Sequence, residues 1–298
     1  MKSILLIALV AIAACNLQSE KYFSAEVVES HKNPFFNTYS YEEHPFKGWS
    51  YAEIKKLVGL QLLPWNFAPS VKHSDNDLPE NFDSREKWPE CIHPIRDQGH
   101  CGSCWAHAAS EVLSDRFCIA GKVDVVLSPQ DMVSCDYLDH GCNGGMLPTS
   151  WAYLKFFGIV TDSCKPYVSG DGHNPGCPLF KKQCQSGEEY KKYKAKNFYL
   201  LHDPESIKAE IFKNGPVETG FKVYEDFMSY SSGIYKRTSN KLLGGHAVKI
   251  VGWGNENGTN YWIVANSWSP KWGIKGFFKI AWGECDIDSN VIAGEPSV

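Results

Sequence analysis

Eleven cysteines are spread unevenly along the 298 residues, and their spacing restricts the folds open to this chain more than any other feature. None falls between Cys15 and Cys91, nine lie from Cys91 to Cys184, and Cys285 stands alone near the end. A block so rich in thiols reads as a disulfide-bonded body made in an oxidising compartment. The first residues agree with that reading. Met1 and Lys2 precede an apolar run from Ile4 to Ala14 that closes on small residues, the pattern of a secretory signal peptide too short to span a bilayer. Residues 1–15 are read as that signal, with lipidation of Cys15 after a bacterial-type cleavage as the alternative. No later stretch is long and apolar enough for a membrane span.

Residues 16–77 contain no cysteine. They carry a helix-like segment at Tyr51–Leu63, with Ile54, Leu57, Val58, Leu60 and Leu62 apolar, and then Pro64 and a polar, breaker-rich stretch from Ser70 to Asp77. Such a leader reads as a removable pro-segment, with a small permanent N-terminal domain as the alternative. The body, residues 78–298, changes texture part-way along. Helices are expected after Cys104 and at Leu147–Phe157, within a region of glycine-rich loops. Beyond Lys196 come a short helix at Pro204–Asn214 and strands at His246–Trp253, Asn260–Ala265 and Gly276–Ile280. The expected class is α+β, a helical half joined to a β half. A net charge of −4 argues against a nucleic-acid partner.

The chemistry centres on Gln98-Gly-His-Cys-Gly-Ser-Cys104-Trp105. After this thiol, Trp105, Ala108, Ala109, Val112, Leu113 and Phe117 recur on one helical face. Cys104 therefore sits at a helix start, where unpaired N–H groups and the helix dipole favour a thiolate. Reserving it as a reactive thiol leaves an odd number of cysteines in the body, so one more must be unpaired, and Cys285 is the outlier. A thiolate needs a base, and the base an orienting group. His246 follows Gly244-Gly245, and Asn266 ends the next strand; antiparallel neighbours bring two such side chains together, with Trp268 excluding water. Gln98 and the Cys104 amide are candidate oxyanion donors. A Cys101–Cys104 redox pair lacks the βαβ context it requires, and no second close pair offers zinc-ligand spacing.

Cys101-Gly102-Ser103-Cys104-Trp105 fits the C-G-[SA]-C-[WY] signature of papain-like proteases. With Leu78–Trp88, the Gly141–Gly145 loop, Asn214–Glu218 and Gly244–Gly254, the body resembles the papain family, of the cathepsin B-like type with a shortened occluding loop found in protozoan parasites. The resemblance implies a two-domain papain-like fold, a helical left domain and a β-barrel-like right domain with the active-site cleft between them. It implies no cofactor and no metal. Cys104 would be the nucleophile, His246 the general base and acid, Asn266 the orienter and Gln98 the oxyanion donor. Gly144, Gly145, Leu147, Gly245, Ala247, Trp268 and Asn290 would meet the substrate. The implied disulfides are Cys91–Cys118, Cys101–Cys142, Cys135–Cys177 and Cys164–Cys184, leaving Cys285 free. The implied protein is a monomeric zymogen held by its own pro-segment, acting on protein and peptide substrates and open to cystatin-like inhibitors. Its compartment would be a lysosome or lysosome-like vacuole, or the exterior.

Three departures from the family pattern qualify these expectations. Tyr167–Pro178 is much shorter than the loop that blocks one end of the cleft in cathepsin B, and holds only His173; endopeptidase activity with little carboxydipeptidase activity is expected. Asn290 replaces a glutamate in the pocket for the second residue before the scissile bond, and Leu147 replaces a proline, so apolar side chains are expected there. His107 stands where the family has phenylalanine and is read as a packing residue. His31, His44, His73, His93, His140 and His202 are expected at the surface, and Asn257-Gly258-Thr259 is a glycosylation sequon.

Overall fold

The computed structural model describes residues 21–62, 68–74, 77–121, 123–178 and 183–297. The expected signal peptide lies outside the described residues, as do Leu63, Pro64 and part of the Ser70–Asp77 stretch. The leader contributes α1 (Ala25–Ser30), β1 (Phe36–Thr38) and α2 (Tyr51–Lys56). The body opens with β2 (Phe82–Asp83) and α3 (Ser84–Lys87), then α4 (Cys104–Ile119), α5 (Pro129–Cys135) and α6 (Leu147–Phe156). After β3 (Tyr199–Leu201) and α7 (Pro204–Asn214) come β4 (Val217–Tyr224), β5 (Tyr230–Tyr235), β6 (Leu242–Glu256), β7 (Thr259–Ala265), β8 (Phe277–Ala281) and β9 (Val291–Ala293). The fold is papain-like, a mixed α+β arrangement.

One sheet runs in the order β1-β5-β8-β7-β6-β4-β9-β3, with β2 beside β6. Its spine is the β6–β7 hairpin, closed by Asn257 and Gly258 at φ 52° and 78°, the left-handed pair that matches strand twist in a tight turn. The register sets Lys249 opposite Ala265, which carries His246 and Asn266 toward one end of the hairpin. Helix starts follow local chemistry. Ser50 and Glu53 form a capping box on α2, and Asp203 caps α7 with Pro204 in the first turn.

Two expectations about helices need correction. The segment read as helical to Leu63 stops at Lys56, because the backbone of Gly59, Leu60 and Gln61 pairs with Gly145 and Gly245 instead of with its own preceding turn. The α4 helix is not one-sided: every side chain from Cys104 to Phe117 is buried. Its polar residues survive burial by pairing. Arg116 Nη1 lies 2.8 Å from Glu210 on α7, and Asp115 lies 2.7 Å from Lys249 on β6.

The described residues form two apolar cores. Phe23, Val28, Phe36, Phe46, Ile54 and Leu57 of the leader join the core of the β half. Leu60, a few residues on, joins the core of the helical half with Trp105, Leu147 and Ala247. The leader thus crosses from one half to the other at Gly59. Further on, Pro69 and Val71 pair with Leu200, so this stretch is docked on the body.

The histidine expectation is overturned in part. His31 and His44 are 4% and 3% exposed, and both rings reach Ser229 Oγ, at 2.7 and 3.1 Å. They lie where the leader meets the body, a surface that is solvent only after separation. His73 lies 2.8 Å from Glu210, and half-buried His93 pairs with Asp115 at 2.7 Å. Among the described residues the disulfides join Cys91 to Cys118, Cys101 to Cys142, Cys135 to Cys177 and Cys164 to Cys184, with Cys104 and Cys285 free.

Candidate active site

Cys104 opens α4, which has Ser103 at its N-cap position but no side-chain cap bond. The Ala106 amide turns back on the Ser103 carbonyl at 3.0 Å, while the Trp105 amide acts on the thiol, the arrangement that favours an anion at a helix start. The Cys101–Cys142 bridge ties the loop before α4 to the Gly141–Gly145 loop, and the Gly102 amide donates to the Cys142 carbonyl at 2.9 Å.

His246 comes from β6 and Asn266 from just beyond β7. Asn266 Oδ1 lies 2.7 Å from His246 Nε2 and accepts the Ser267 amide at 2.8 Å. Trp268 stacks on the imidazole, ring centroids 4.6 Å apart. Nδ1 of His246 is buried and completes no hydrogen bond. Gln98 is fully buried and held from both sides. Its Oε1 accepts Ser267 Oγ at 2.8 Å, and its Nε2 donates to the carbonyls of Cys101 at 2.9 Å and Leu57 at 3.3 Å. Ser267, and Tyr167, whose hydroxyl donates to the Gln98 carbonyl at 2.8 Å, were not apparent from sequence. Neither carries a motif of its own, so no sequence signal marks them.

The leader lies across these groups. The Gly145 amide donates to Gly59 and the Gln61 amide to Gly145, at 3.0 and 2.9 Å, while the Leu60 amide donates to Gly245 at 3.0 Å. Gly144 has no room for a Cβ beside the Gly59 carbonyl, and at φ 109° it needs glycine in any case. Leu60 fills a pocket against Leu147 and Gly220, with Ala247 in the same cluster. Gly220 donates to the carbonyl of Asn290 at 3.3 Å, which puts that residue beside the pocket. On the same face of β4, two residues from Gly220, Glu218 accepts Trp151 Nε1 at 2.6 Å and is buried.

Burial also bears on protonation at the site. Cys104 is fully buried, and that burial pushes its thiol up to about 11, against the pull of the Ala247, Gly59 and Trp105 amides. Burial likewise drives His246 down to about 4, although its bond to Asn266 favours the charged form. Under the leader both shifts favour the neutral forms of the thiol and the imidazole. His107 is buried beneath them, with Nδ1 at 3.1 Å from the Ser103 carbonyl and its ring edge-on to Tyr167. Burial, then Arg96, holds its imidazole down to about 3. His173 is exposed on the loop after Ser169–Asp171, which packs on the Gln98 segment through the Gly170 carbonyl and His100 amide at 2.8 Å.

The sequence pattern of the papain family cysteine protease matches residues 78–295. The chain belongs to the papain family of cysteine proteases. It is similar to "Cathepsin B-like protease 1" of Arabidopsis thaliana, 39% identical over 96% of this chain and 88% of that protein. It is also similar to the "Gut-specific cysteine proteinase" of Caenorhabditis elegans, 45% identical over 74% of each. Among solved structures it superposes on proCathepsin B S9 from Trypanosoma congolense with a TM-score of 0.86 at 34% identity, covering 94% of this chain and all of that one. The protein is therefore a cathepsin B-like cysteine protease. The likeness to a proenzyme structure extends over the leader, which supports its role as the enzyme's own inhibitor. Among the described residues, no helix is long and apolar enough to cross a membrane.

Proposed function

We propose that this chain is the zymogen of a secretory-pathway endopeptidase, cut near Asp77–Leu78 when the leader is released. The observation that carries the reading is the path of the leader: its Leu57 carbonyl rests on the Gln98 amide while Leu60 fills the pocket beside Gly145. A peptide that offers a carbonyl to an oxyanion donor and a side chain to a specificity pocket is behaving as a substrate would.

In the uncovered cleft the Cys104 thiolate attacks the scissile carbonyl. The tetrahedral oxyanion accepts from Gln98 Nε2 and the Cys104 amide, donors of a kind worth about 3 kcal/mol each in the transition state. His246, carrying the thiol proton, hands it to the departing amine, leaving a Cys104 acyl-enzyme and a neutral imidazole. That imidazole then takes a proton from water, the hydroxide attacks the thioester carbonyl, and thiol and acid product are restored. Asn266 keeps the ring oriented throughout, and Trp268 excludes water from that bond.

The apolar lining around Leu60 supports a preference for apolar side chains two residues before the scissile bond. The short Tyr167–Pro178 loop, with its lone His173, supports internal cleavage over removal of C-terminal dipeptides. His107, neutral and packed on Tyr167, takes no proton. The disulfides and the relatives support a lysosome-like vacuole or secretion. The enzyme acts as a monomer on proteins and peptides and is bound by cystatin-like inhibitors. The test is acid activation of the purified chain, followed by cleavage of a diverse peptide library beside Cys104→Ala. Internal cleavage after apolar-X pairs, lost in the variant, is expected. Trimming two residues at a time from free C-termini at comparable rates would refute the endopeptidase reading.

A further inference from the structure

The hydroxyl of Tyr167 stands between two groups that the reaction must hold in fixed relation. It donates to the Gln98 carbonyl at 2.8 Å, and it lies 2.9 Å from Oγ of Ser103, the residue before the nucleophile. What each partner is able to donate assigns the hydrogens. A carbonyl only accepts, so the one phenolic hydrogen goes to Gln98, and Ser103 Oγ donates to the Tyr167 oxygen. Ser103 Oγ then has only lone pairs to offer His107, whose Nδ1 is 3.3 Å from it and 3.1 Å from the Ser103 carbonyl. Both are acceptors, so that ring nitrogen carries the hydrogen. Nε2 of His107 is then the bare nitrogen, buried with no hydrogen-bond partner among the described residues. One directed chain runs from His107 through Ser103 and Tyr167 to the Gln98 carbonyl, each bond polarising the next.

Tyr167 is itself held in place. The Val168 and Ser169 amides donate to Oε1 of Gln130 on α5, at 2.8 and 3.0 Å, and Gln130 Nε2 donates to Ser169 Oγ at 2.9 Å. Gln130 is buried, so water does not compete for these bonds. The Gly170 carbonyl then accepts the His100 amide at 2.8 Å. Between the two contacts Gly99, at φ 58°, lies against the Gly170 carbonyl, where a Cβ would collide. The start of the short loop is thus a brace on Gln98–His100.

The other bonds to Gln98 come mainly from the β half. Its amide donates to the Ser267 carbonyl at 2.9 Å and its Oε1 accepts Ser267 Oγ at 2.8 Å, both from beyond β7. Without the Tyr167 hydroxyl, Gln98 keeps one bond to the helical half, from Nε2 to the Cys101 carbonyl at 2.9 Å. Cys104 belongs to α4. An oxyanion donor acts only when held at hydrogen-bond distance from where the oxyanion forms, so it must be fixed to the nucleophile's own helix. We propose that Tyr167 is a positioning residue for catalysis, its hydroxyl fixing Gln98 against the start of α4 so that Nε2 meets the oxyanion. Tyr167 acts through Gln98 and not on the reacting atoms. The inference rests on the proposed role of Gln98 as oxyanion donor.

Three quantities are measured on the acid-activated enzyme: kcat and KM on a fluorogenic peptide amide, and the rate of Cys104 alkylation by iodoacetamide, which displaces iodide and forms no oxyanion. Tyr167→Phe keeps the ring and removes the hydroxyl. Its kcat should fall about fivefold, the worth of one neutral hydrogen bond, with KM and the alkylation rate unmoved. Gln98→Ala should lower kcat on the order of a hundredfold. Because Tyr167 acts through Gln98, adding Tyr167→Phe to Gln98→Ala should cost nothing further. A double variant whose loss multiplies the two single losses shows a separate structural role and overturns the assignment. So does an unchanged kcat in Tyr167→Phe, or an alkylation rate that falls with it. If Gln98→Ala alone keeps the wild-type kcat, the oxyanion reading of Gln98 is what fails, and the tie has nothing to position.

Discussion

Releasing the leader should speed alkylation of Cys104 by orders of magnitude, for reasons of protonation as well as access. With its thiol pushed up to about 11, roughly one molecule in ten thousand carries the thiolate at pH 7. Once Gly59 and Leu60 leave, the two burial effects reverse together. The thiol falls toward the value favoured by a helix start and a nearby cation, and the imidazole rises from about 4. A pair that is largely ionised at pH 7 then reacts about 10⁴-fold faster from the ionised fraction alone, less the lower intrinsic reactivity of a less basic thiolate. The assay is iodoacetamide labelling of zymogen and activated enzyme at matched pH, read by mass at Cys104. A Cys104→Ala control isolates the other free thiol, Cys285, which burial also raises. If intact zymogen were labelled within tenfold of the activated enzyme, the idea that the leader neutralises the pair would be wrong.

Burial and the charge of His31 hold His44 down to about 4 from the usual 6.5, so docking of the leader loses stability as pH falls through that window, by up to about 3 kcal/mol. His44→Phe, among the rings of Phe23 and Phe46, should shift acid-driven conversion to lower pH on a gel time course; an unchanged midpoint would count against it. Glu210→Ala strands the buried Arg116 guanidinium and should cost about 3–5 kcal/mol in denaturant unfolding of the Cys104→Ala zymogen, whereas a surface ion pair would cost under about 1 kcal/mol. Asn290→Glu should raise kcat/KM for arginine over leucine, two residues before the cut, by about tenfold in a paired-substrate assay; no change would place this side chain outside the pocket.

Much of the site was legible because its chemistry is local. Cys104 at a helix start, His246 and Asn266 on adjacent strands, and the parity of the cysteines can all be read without coordinates. The helix at Pro204–Asn214 carries its own signals, a capping Asp203 and a first-turn proline. What escaped reading depends on contacts distant in sequence. Ile54, Leu57, Leu60 and Leu62 recur at helical spacing, yet the chain leaves the helix after Lys56 because Gly145 and Gly245 offer it strand partners from elsewhere. The α4 helix looked amphipathic because its apolar residues share one face, while Asp115 and Arg116 are buried against Lys249 and Glu210, about a hundred residues away or more. His31 and His44 looked exposed for the same reason.

The pairing of β1 with β5 has a consequence for the enzyme after conversion. Phe36, Asn37 and Thr38 sit opposite Gly233, Ser232 and Tyr230, so β1 is the edge of the sheet only while the leader stays. Its departure makes β5 the new margin, with unpaired backbone groups next to the seats vacated by Phe23, Phe36 and Phe46. Such a margin templates self-association. The leader thus also covers a sheet margin while it stays docked, and conversion opens that margin to solvent together with the cleft.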